Sequence, residues 1–335
     1  MEPVSVIIPT YNRAALIPHT LVSVLAAVAD GDEIIVVDDG STDDTAAVVC
    51  APDAPWSGRV RYLPMEHAGA GRSQNAGLAA ARNDLIGFAD SDDVWLPYRL
   101  ELQRPIMESE TSLGFCFSNF GQLWPDGSIT PHWLVEWSRD TRSWDDILGP
   151  GRPYSDRWPL PAKLPQTDHE FRVHTGSLYL QLLRRACTNV NTLLARRSVV
   201  GDALHFGVDQ PRYHDWECFA RMARVGDCAY LDVDTALQRA HDGPRRTDSG
   251  PFIAAQSRIT LIERTWASDP AFMQAHGDEV KAILAAQRRF VVRRLIQLNQ
   301  RDQASKLLSE LNGAYWERLA LMVPHSILKA LGRGE

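Results

Sequence analysis

The stretch Phe88-Ala89-Asp90-Ser91-Asp92-Asp93 continues an apolar run that begins at Leu85. An apolar run that ends in a row of carboxylates is typical of a strand buried in a sheet, with the acids at its carboxyl end. In open α/β sheets, ligands bind at that end of the strands. Asp90 and Asp92 are two residues apart, so in an extended chain their side chains point the same way. Hard oxygen donors in this pattern suit Mg²⁺ or Mn²⁺.

A pair of aspartates also has a simpler interpretation, because Asp is common in turns and at helix starts. A second acidic cluster weighs against it. Residues 33–37 are predicted to form a second buried strand, which Asp38 and Asp39 follow directly. Parallel strands that both end in acids bring those acids to the same edge of the sheet. Tyr11, after the first apolar run, either stacks on a base or packs on the sheet edge.

The first third of the chain alternates apolar runs with segments of helical periodicity. The pattern predicts strands at residues 4–8, 33–37 and 85–89 and helices at residues 14–29 and 72–81. This alternation predicts an α/β fold, a parallel sheet with helices on both faces. We divide the chain into a first region (1–122), a second region (123–250) and a third region (251–335), whose amphipathic spacing predicts a helical C-terminal extension.

Composition excludes some classes of protein. The chain has 335 residues and a net charge of -7 without a long basic run, which argues against a nucleic-acid partner. Five scattered cysteines indicate reduced thiols. The apolar start of the chain lacks a basic segment and favours a strand over a signal peptide. No apolar segment approaches about 18 residues. We expect a cytoplasmic protein, with the inner membrane surface as the alternative.

The segment Gly69-Ala70-Gly71 looks like the start of a dinucleotide-binding motif. The motif is incomplete, because Gln74 stands where its last glycine belongs, and it follows the third strand rather than the first. A flexible start to a helix is the favoured interpretation. Arg72 then lies in a first turn, where an anion is favoured.

Four segments together resemble family 2 glycosyltransferases, which are inverting enzymes with the GT-A fold. They are PTYNR from Pro9, VVDDGSTDDT from Val36, GAGRSQNAG from Gly69 and FADSDDVWLP from Phe88, and they span roughly the first hundred residues. The resemblance implies a nucleotide-sugar donor, most often linked to UDP. One departure is that Ser73-Gln74-Asn75 stands where the family often has Ala-Arg-Asn, which leaves Arg72 as the alternative basic residue.

The resemblance also implies roles for individual residues. Asp39 would bind the base, and the acids after Phe88 would bind the ribose and a Mn²⁺ or Mg²⁺ ion. The implied metal ligands are Asp92 and His241, although a histidine in a polar loop is also often only solvated. The donor-binding residues are Pro9, Thr10, Tyr11, Arg13, Asp39, Arg72, Asp90 and Ser91.

Asp215 is the candidate catalytic base. It stands at the head of a predicted helix that runs to Val225, and helix capping is the simpler interpretation. In the family, an acidic residue before an aromatic one at this helix head serves as the base, and Asp215-Trp216 matches that pattern. The preceding residue is often Glu in the family and is His214 here. Glu217 is the less favoured alternative.

Two further segments are unusual in composition. Residues 123–185 are rich in Trp and Pro, and we expect most of these tryptophans to anchor a loop, with one or two contacting a sugar acceptor. Residues 316–331 mix apolar, aromatic and basic side chains. We favour packing on the domain or on a second subunit over a membrane-surface helix.

The predicted function is transfer of a sugar, with inversion, from a nucleoside diphosphate sugar to a hydroxyl acceptor, as in surface polysaccharide or glycan synthesis. The acceptor would be a carbohydrate or a lipid-linked or peptide-linked glycan. One alternative is a nucleotidyltransferase, which would need a basic, glycine-rich loop where Pro9–Arg13 stands. The other is a non-catalytic protein with the same fold, against which the intact acids argue.

Overall fold

The computed structural model describes residues 1–168, 170–209, 211–240, 250–309, 311 and 315–323. The chain forms two compact units, which are described separately. The first comprises Met1–Val208 and His214–Gly243, and the second comprises Asp209–Tyr213 and Pro244–Glu335. The division of the sequence at residues 122 and 250 stays a prediction.

The first unit is built on one mixed sheet, to which eleven strands belong within the described residues. In chain order the strands are β1 Val4–Thr10, β2 Glu33–Asp38, β3 Val60–Pro64, β4 Leu85–Phe88, β5 Val94–Trp95, β6 Phe115–Leu123, β7 Ile129–Thr130, β8 Arg152–Pro153, β9 Arg172–Gly176, β10 Leu194–Arg196 and β11 Cys228–Arg239. The order across the sheet is β3-β2-β1-β4-β10-β6-β11-β9-β8, with β5 on β11 and β7 on β6.

The α/β class is confirmed, but the prediction of a wholly parallel sheet is wrong. Strands β1 to β4 pair in parallel, as do β6 and β11. Strand β10 runs antiparallel to both of its neighbours, β4 and β6. The regular alternation that predicts parallel pairing ends in the second half of the chain, where β9 and β10 pair antiparallel with their neighbours.

The helices of the first unit are α1 Ile17–Ala27, α2 Thr45–Val49, α3 Ala70–Ala80, α4 Arg99–Ser109, α5 Trp133–Ser138, α6 Trp144–Leu148, α7 Tyr179–Arg184, α8 Arg197–Val200 and α9 His214–Val225. Helix α3 packs very closely on the sheet. A Cβ atom at Gly77 would lie 2.3 Å from the Cγ2 atom of Ile7. Only glycine fits this contact, which fixes α3 over the middle of β1.

The second unit contains α10 Gly250–Arg264, α11 Pro270–Gln297, α12 Arg301–Ser309 and α13 Tyr315–Met322. Their apolar faces form one cluster that includes Val291, Leu295 and Leu308. The predicted helical C-terminal region is therefore confirmed. Within the described residues, no helix is both long enough and apolar enough to cross a bilayer. Of residues 316–331, only 316–323 are described, so the packing predicted for this stretch stays a prediction.

Candidate active site

The acidic clusters meet at one edge of the sheet, as predicted. Strands β2 and β4 flank β1 on either side, both in parallel. The backbone N–H of Asp39 donates to the carbonyl of Thr10 at 2.9 Å, and that of Ala89 donates to Ile7 at 3.0 Å. These bonds extend the hydrogen-bonded pairing with β1 by one residue beyond the ends of β2 and β4. Asp39 and the acids that follow Ala89 therefore leave the sheet on the same side, next to the end of β1.

Asp39 holds the loop that precedes α3. Its buried carboxylate accepts hydrogen bonds from the backbone N–H groups of Ala68 at 2.8 Å and Gly69 at 2.9 Å. The Nδ1 atom of His67 lies 3.0 Å from the Asp39 Oδ2 atom. Two carboxylate oxygens provide about four acceptor positions, so these contacts leave room for one more donor. Asp39 has a structural role here beside the predicted contact with a base.

His67 was not predicted. Its ring stacks on the ring of Tyr11, with 4.3 Å between the centroids, and Tyr11 is 41% exposed. The two rings and the Asp39 carboxylate form an aromatic corner beside the end of β1. In the sequence, His67 is a single histidine in a loop between β3 and α3, and no spacing distinguishes it from a solvated side chain.

Asp38, the neighbour of Asp39, is part of the sheet's own bonding. Its carboxylate accepts from the Tyr62 hydroxyl at 2.6 Å and from the backbone N–H of Ser41 at 2.9 Å. Burial raises the pKa of Tyr62, and the hydrogen bond to Asp38 raises it further. Of the two acids after β2, Asp39 is therefore the one oriented towards the loop of α3.

The acids after β4 form a turn rather than an extended strand, so the expected common direction of Asp90 and Asp92 does not follow from alternation. The backbone N–H of Asp93 donates to the Asp90 carbonyl at 3.1 Å. Ser91 and Asp93 are buried, whereas Asp90 and Asp92 are partly exposed. Two of the three acidic residues are therefore partly accessible to solvent.

Arg13 reaches this turn from the end of β1. Its Nε and Nη2 atoms both lie 3.3 Å from the Oδ2 atom of Asp92. The backbone N–H of Arg13 is fixed by the Thr45 hydroxyl at 2.9 Å. The structure thus brings together two predicted residues, one assigned to the donor and one to the metal. Pro9 and Thr10 are the last residues of β1, a few residues before Arg13 in the chain.

Arg72 lies in the first turn of α3 and is exposed. Within the described residues, no hydrogen bond or ion pair joins it to another predicted site residue. Gln74, at the position where the family often has arginine, is buried, and its Oε1 atom has no hydrogen-bond partner among the described residues. Whether Arg72 binds the donor stays a prediction.

Helix α9 begins at His214, so the expected N-cap position of Asp215 is wrong. Tyr213 has a left-handed backbone, with φ of 66°, which turns the chain into the helix one residue early. Asp215 is the second helical residue and is partly exposed, and its Oδ1 atom accepts from the backbone N–H of Trp216 at 2.8 Å. Glu217 is buried and pairs with Arg221 at 3.1 Å, which leaves Asp215 as the more accessible carboxylate.

A bridge of aromatic side chains connects the head of α9 with the acidic turn. The Phe206 ring lies 5.1 Å from that of Phe88, directly before the turn, and 6.1 Å from that of His214. The Asn75 side chain holds Phe206 by accepting from its N–H at 2.9 Å and donating to its carbonyl at 2.8 Å. Helices α3 and α9 therefore border the same edge of the sheet as the acids.

Most tryptophans of the 123–185 segment pack on other aromatic side chains. Trp144 stacks on Tyr230 with 3.6 Å between centroids, and Trp137 meets Phe120 edge-on at 6.2 Å. Trp124 and Trp133 lie 5.7 Å apart, and Trp124 is 38% exposed. Trp124, packed against the partly exposed Trp133, is the remaining candidate for an acceptor contact.

The carboxylates fit a divalent cation that is shared with a substrate. Mg²⁺ and Mn²⁺ prefer oxygen ligands, and Mg²⁺ is usually held by one or two carboxylates together with waters and substrate phosphates. Asp92, with Asp90 beside it, offers such a set. Among the described residues, no three His, Cys, Asp or Glu side chains form a complete metal site by themselves. His241, the second predicted ligand, lies outside the described residues.

Comparison with known proteins agrees with this arrangement. The model of the family described as glycosyl transferase family 2 matches residues 5–177, which is more than half of the chain. S. aureus TarS (residues 1–349), solved with UDP-GlcNAc, superimposes with a TM-score of 0.56 at 17% identity, over 86% of this chain and 71% of TarS. The mannosyltransferase PcManGT from Pyrobaculum calidifontis, solved with GDP-Man and Mn²⁺, gives 0.53 at 16% identity, over 98% of this chain and 79% of PcManGT.

The curated relatives match between 31% and 43% of this chain. The E. coli glucosyltransferase WfgD is 34% identical over 118 residues, which is 35% of this chain and 45% of WfgD. The B. subtilis teichuronic acid glycosyltransferase TuaG, so named with putative status, is 34% identical over 146 residues, or 43% of this chain and 56% of TuaG. Among the relatives compared, the match spans from 18% to 56% of their length.

The fold is that of a GT-A glycosyltransferase. The chain belongs to glycosyl transferase family 2.

Proposed function

We propose that this protein transfers a sugar from a nucleoside diphosphate sugar to a hydroxyl acceptor with inversion at the anomeric carbon. The observation that carries the proposal is the convergence at one sheet edge of an aromatic corner, a turn with two accessible carboxylates and a helix head with a third. These three elements match the three parts of the reaction, which are the base, the diphosphate and the acceptor hydroxyl.

The donor would lie across the end of β1. Tyr11 and His67 offer flat faces to the base, and the Asp39 carboxylate retains a position for one further donor such as a base N–H group. Asp90 and Ser91 would bind the ribose. Asp92 would hold a Mn²⁺ or Mg²⁺ ion, which when bound neutralises the charge that grows on the leaving diphosphate. Arg13, already paired with Asp92, adds a second cationic group beside that charge.

Asp215 would take the proton from the acceptor hydroxyl as that oxygen attacks the anomeric carbon. A general base must be accessible to the acceptor and must lie within hydrogen-bond distance of the proton that it takes. Asp215 meets the requirement of access, because it is partly exposed in the first turn of α9. One of its oxygens is oriented by the Trp216 N–H, which leaves the other for the acceptor. The scheme needs no covalent nucleophile, because inversion takes a single displacement.

We infer a UDP-linked donor and a lipid-linked or polysaccharide acceptor. WfgD is named for transfer from UDP-Glc to GlcNAc-diphosphoundecaprenol, and TuaG for teichuronic acid synthesis. Such an acceptor would place the reaction at the inner face of a membrane. The exposed Trp124, which packs against Trp133, supplies an apolar surface for a sugar ring.

The test is a transfer assay with a panel of UDP-, dTDP- and GDP-sugars, Mn²⁺ and a synthetic undecaprenyl diphosphate-linked GlcNAc acceptor. Asp215→Asn should lower acceptor-dependent turnover by about 10²–10⁴-fold, the range for loss of a positioned general base. Its melting temperature and UDP binding should stay unchanged. Asp202→Asn, at an exposed carboxylate in the first unit, is the matched control.

Two results would contradict the proposal. Turnover of the Asp215→Asn variant at the wild-type rate would remove Asp215 from the role of base. The absence of both nucleotide binding and transfer with every donor would overturn the proposed reaction as a whole.

A further inference from the structure

The acidic turn is held from behind by one buried amide, the side chain of Asn191. Its Oδ1 atom accepts from the Asp90 backbone N–H at 3.3 Å and from the Trp95 indole N–H at 3.1 Å. Its Nδ2 atom donates to the Asp93 Oδ2 atom at 3.1 Å. Asn191 is 1% exposed. A single side chain thus contacts the first residue of the turn, the last residue of the turn and the strand that follows it.

The amide has only one orientation that satisfies these partners. Two N–H donors face its oxygen and a carboxylate faces its nitrogen, so a flipped amide would oppose donor to donor and acceptor to acceptor. The other Asp93 oxygen accepts from the backbone N–H of Arg239 at 2.9 Å, which ties the same turn to the end of β11. The turn is therefore fixed at both ends by specific bonds rather than by packing alone.

Asn191 is itself held rigidly. Its backbone N–H donates to the Asn189 side chain at 2.8 Å. The Gln103 side chain donates to the Thr192 carbonyl at 2.7 Å. The Arg99 guanidinium donates to the Asn191 carbonyl and, at 3.0 Å, to the Leu193 carbonyl. Helix α4 thus fixes the short segment that carries the amide.

Arg99 is an unusual group to find in this position, because it is fully buried and, within the described residues, forms no ion pair. Its guanidinium lies 3.6 Å above the Trp95 ring. Burial lowers the pKa of Arg99, and the charge of Asp90 acts in the opposite direction. An isolated buried charge is unfavourable, and the compensating interactions are the hydrogen bonds to the Asn191 and Leu193 carbonyls and the contact with the Trp95 ring.

We propose that Asn191, fixed by Arg99, is a positioning residue that presents Asp90 and Asp92 in the conformation that receives the cation and the donor diphosphate. Three aspartates within four residues repel one another, and without a fixed support the turn would adopt several conformations. Residues that orient metal-binding carboxylates from behind typically change metal affinity by about 10–100-fold when they are replaced. This inference rests on the proposed function.

The two side chains of the Asn191–Asp93 contact allow a reciprocal test. Asn191→Asp keeps the shape but sets carboxylate against carboxylate, and Asp93→Asn alone sets amide N–H against amide N–H. The double variant Asn191→Asp/Asp93→Asn restores a donor opposite an acceptor, keeps the net charge, and retains acceptors for the Asp90, Trp95 and Arg239 N–H groups. Rescue by the double variant is a result that general destabilisation does not give.

Binding of UDP is measured by calorimetry with Mn²⁺ and again with EDTA, with the melting temperature of each variant. Each single variant should weaken UDP binding in Mn²⁺ by about 10–100-fold. UDP binding in EDTA should weaken clearly less than binding in Mn²⁺, because only the Asp90 contact with the ribose is then affected, and the double variant should recover most of the loss. Gln103→Met removes the hydrogen bond to the Thr192 carbonyl without touching the turn, so it should weaken UDP binding in Mn²⁺ less than the single variants do. It replaces a single variant that fails to fold.

The outcomes separate this inference from the proposed function. Wild-type protein that binds UDP equally with Mn²⁺ and with EDTA would contradict the metal-dependent function. A clear Mn²⁺ effect in the wild type that is unchanged in Asn191→Asp, or in Gln103→Met where the former does not fold, would overturn the positioning role alone. A double variant no better than the single ones would also overturn it.

Discussion

Replacing Asp39 with alanine should destabilise the first unit as well as weaken donor binding. The change removes the acceptor of the Ala68 and Gly69 N–H groups, at 2.8 and 2.9 Å, from a buried position. Each hydrogen bond to a charged group contributes about 1.5–3 kcal/mol. The loop can relax partly, because the His67 side chain is 57% exposed. We therefore expect a loss of about 3 kcal/mol in the free energy of unfolding, near the sum of the two lower values.

The assay is urea unfolding followed by tryptophan fluorescence, with UDP binding measured on the folded protein. Asp39→Asn keeps one acceptor oxygen and should lose less stability than Asp39→Ala. Asp53→Ala, at an exposed carboxylate, is the control and should change stability by less than about 0.5 kcal/mol. If Asp39→Ala were as stable as this control, the carboxylate would not be holding the loop, and its role would be limited to the base.

Three further predictions follow from the packing and the charges of the first unit. Gly71→Ala places a Cβ atom 2.3 Å from the Gly207 carbonyl oxygen, so it should lower the free energy of unfolding by about 1–3 kcal/mol in the same urea assay; wild-type stability would refute this contact. Burial raises the pKa of Cys187 and of Cys218 to about 12, and Cys50 is the one exposed thiol, so iodoacetamide at pH 8 should label native protein only at Cys50 by mass spectrometry. Burial also raises the pKa of Asp234 above its ordinary value of 3.8, so wild-type protein should lose stability as the pH rises above about 4 and this carboxyl ionises. Asp234→Asn should gain stability relative to wild type over that rise, and a stability difference that stays constant with pH would contradict the shift.

The convergence of the acids at one edge could be predicted from sequence, because two apolar runs that end in aspartates leave little choice of place in a parallel sheet. The conformation of the acids could not. The turn after Phe88 is set by Asn191, about a hundred residues further along the chain, and local patterns carry no information about such a contact.

The start of α9 was missed for a local reason. A left-handed backbone is uncommon for a tyrosine, so nothing in the sequence placed the helix start at His214 rather than after Asp215. The role of His67 was missed because it depends on two partners from other loops, Tyr11 and Asp39. The antiparallel direction of β10 could not be predicted, because a strand of three residues carries no pattern that fixes its pairing partners.

The central claim is that a divalent cation joins the donor to the turn at Asp92. The most direct measurement is titration of Mn²⁺ by electron paramagnetic resonance, with and without UDP, in wild-type protein, Asp92→Asn and the exposed control Asp53→Asn. Wild type and control should each bind one Mn²⁺ per chain in the presence of UDP. Asp92→Asn should bind it at least about tenfold more weakly, because the site loses an anionic oxygen ligand. Equal Mn²⁺ binding by Asp92→Asn and wild type would contradict the claim.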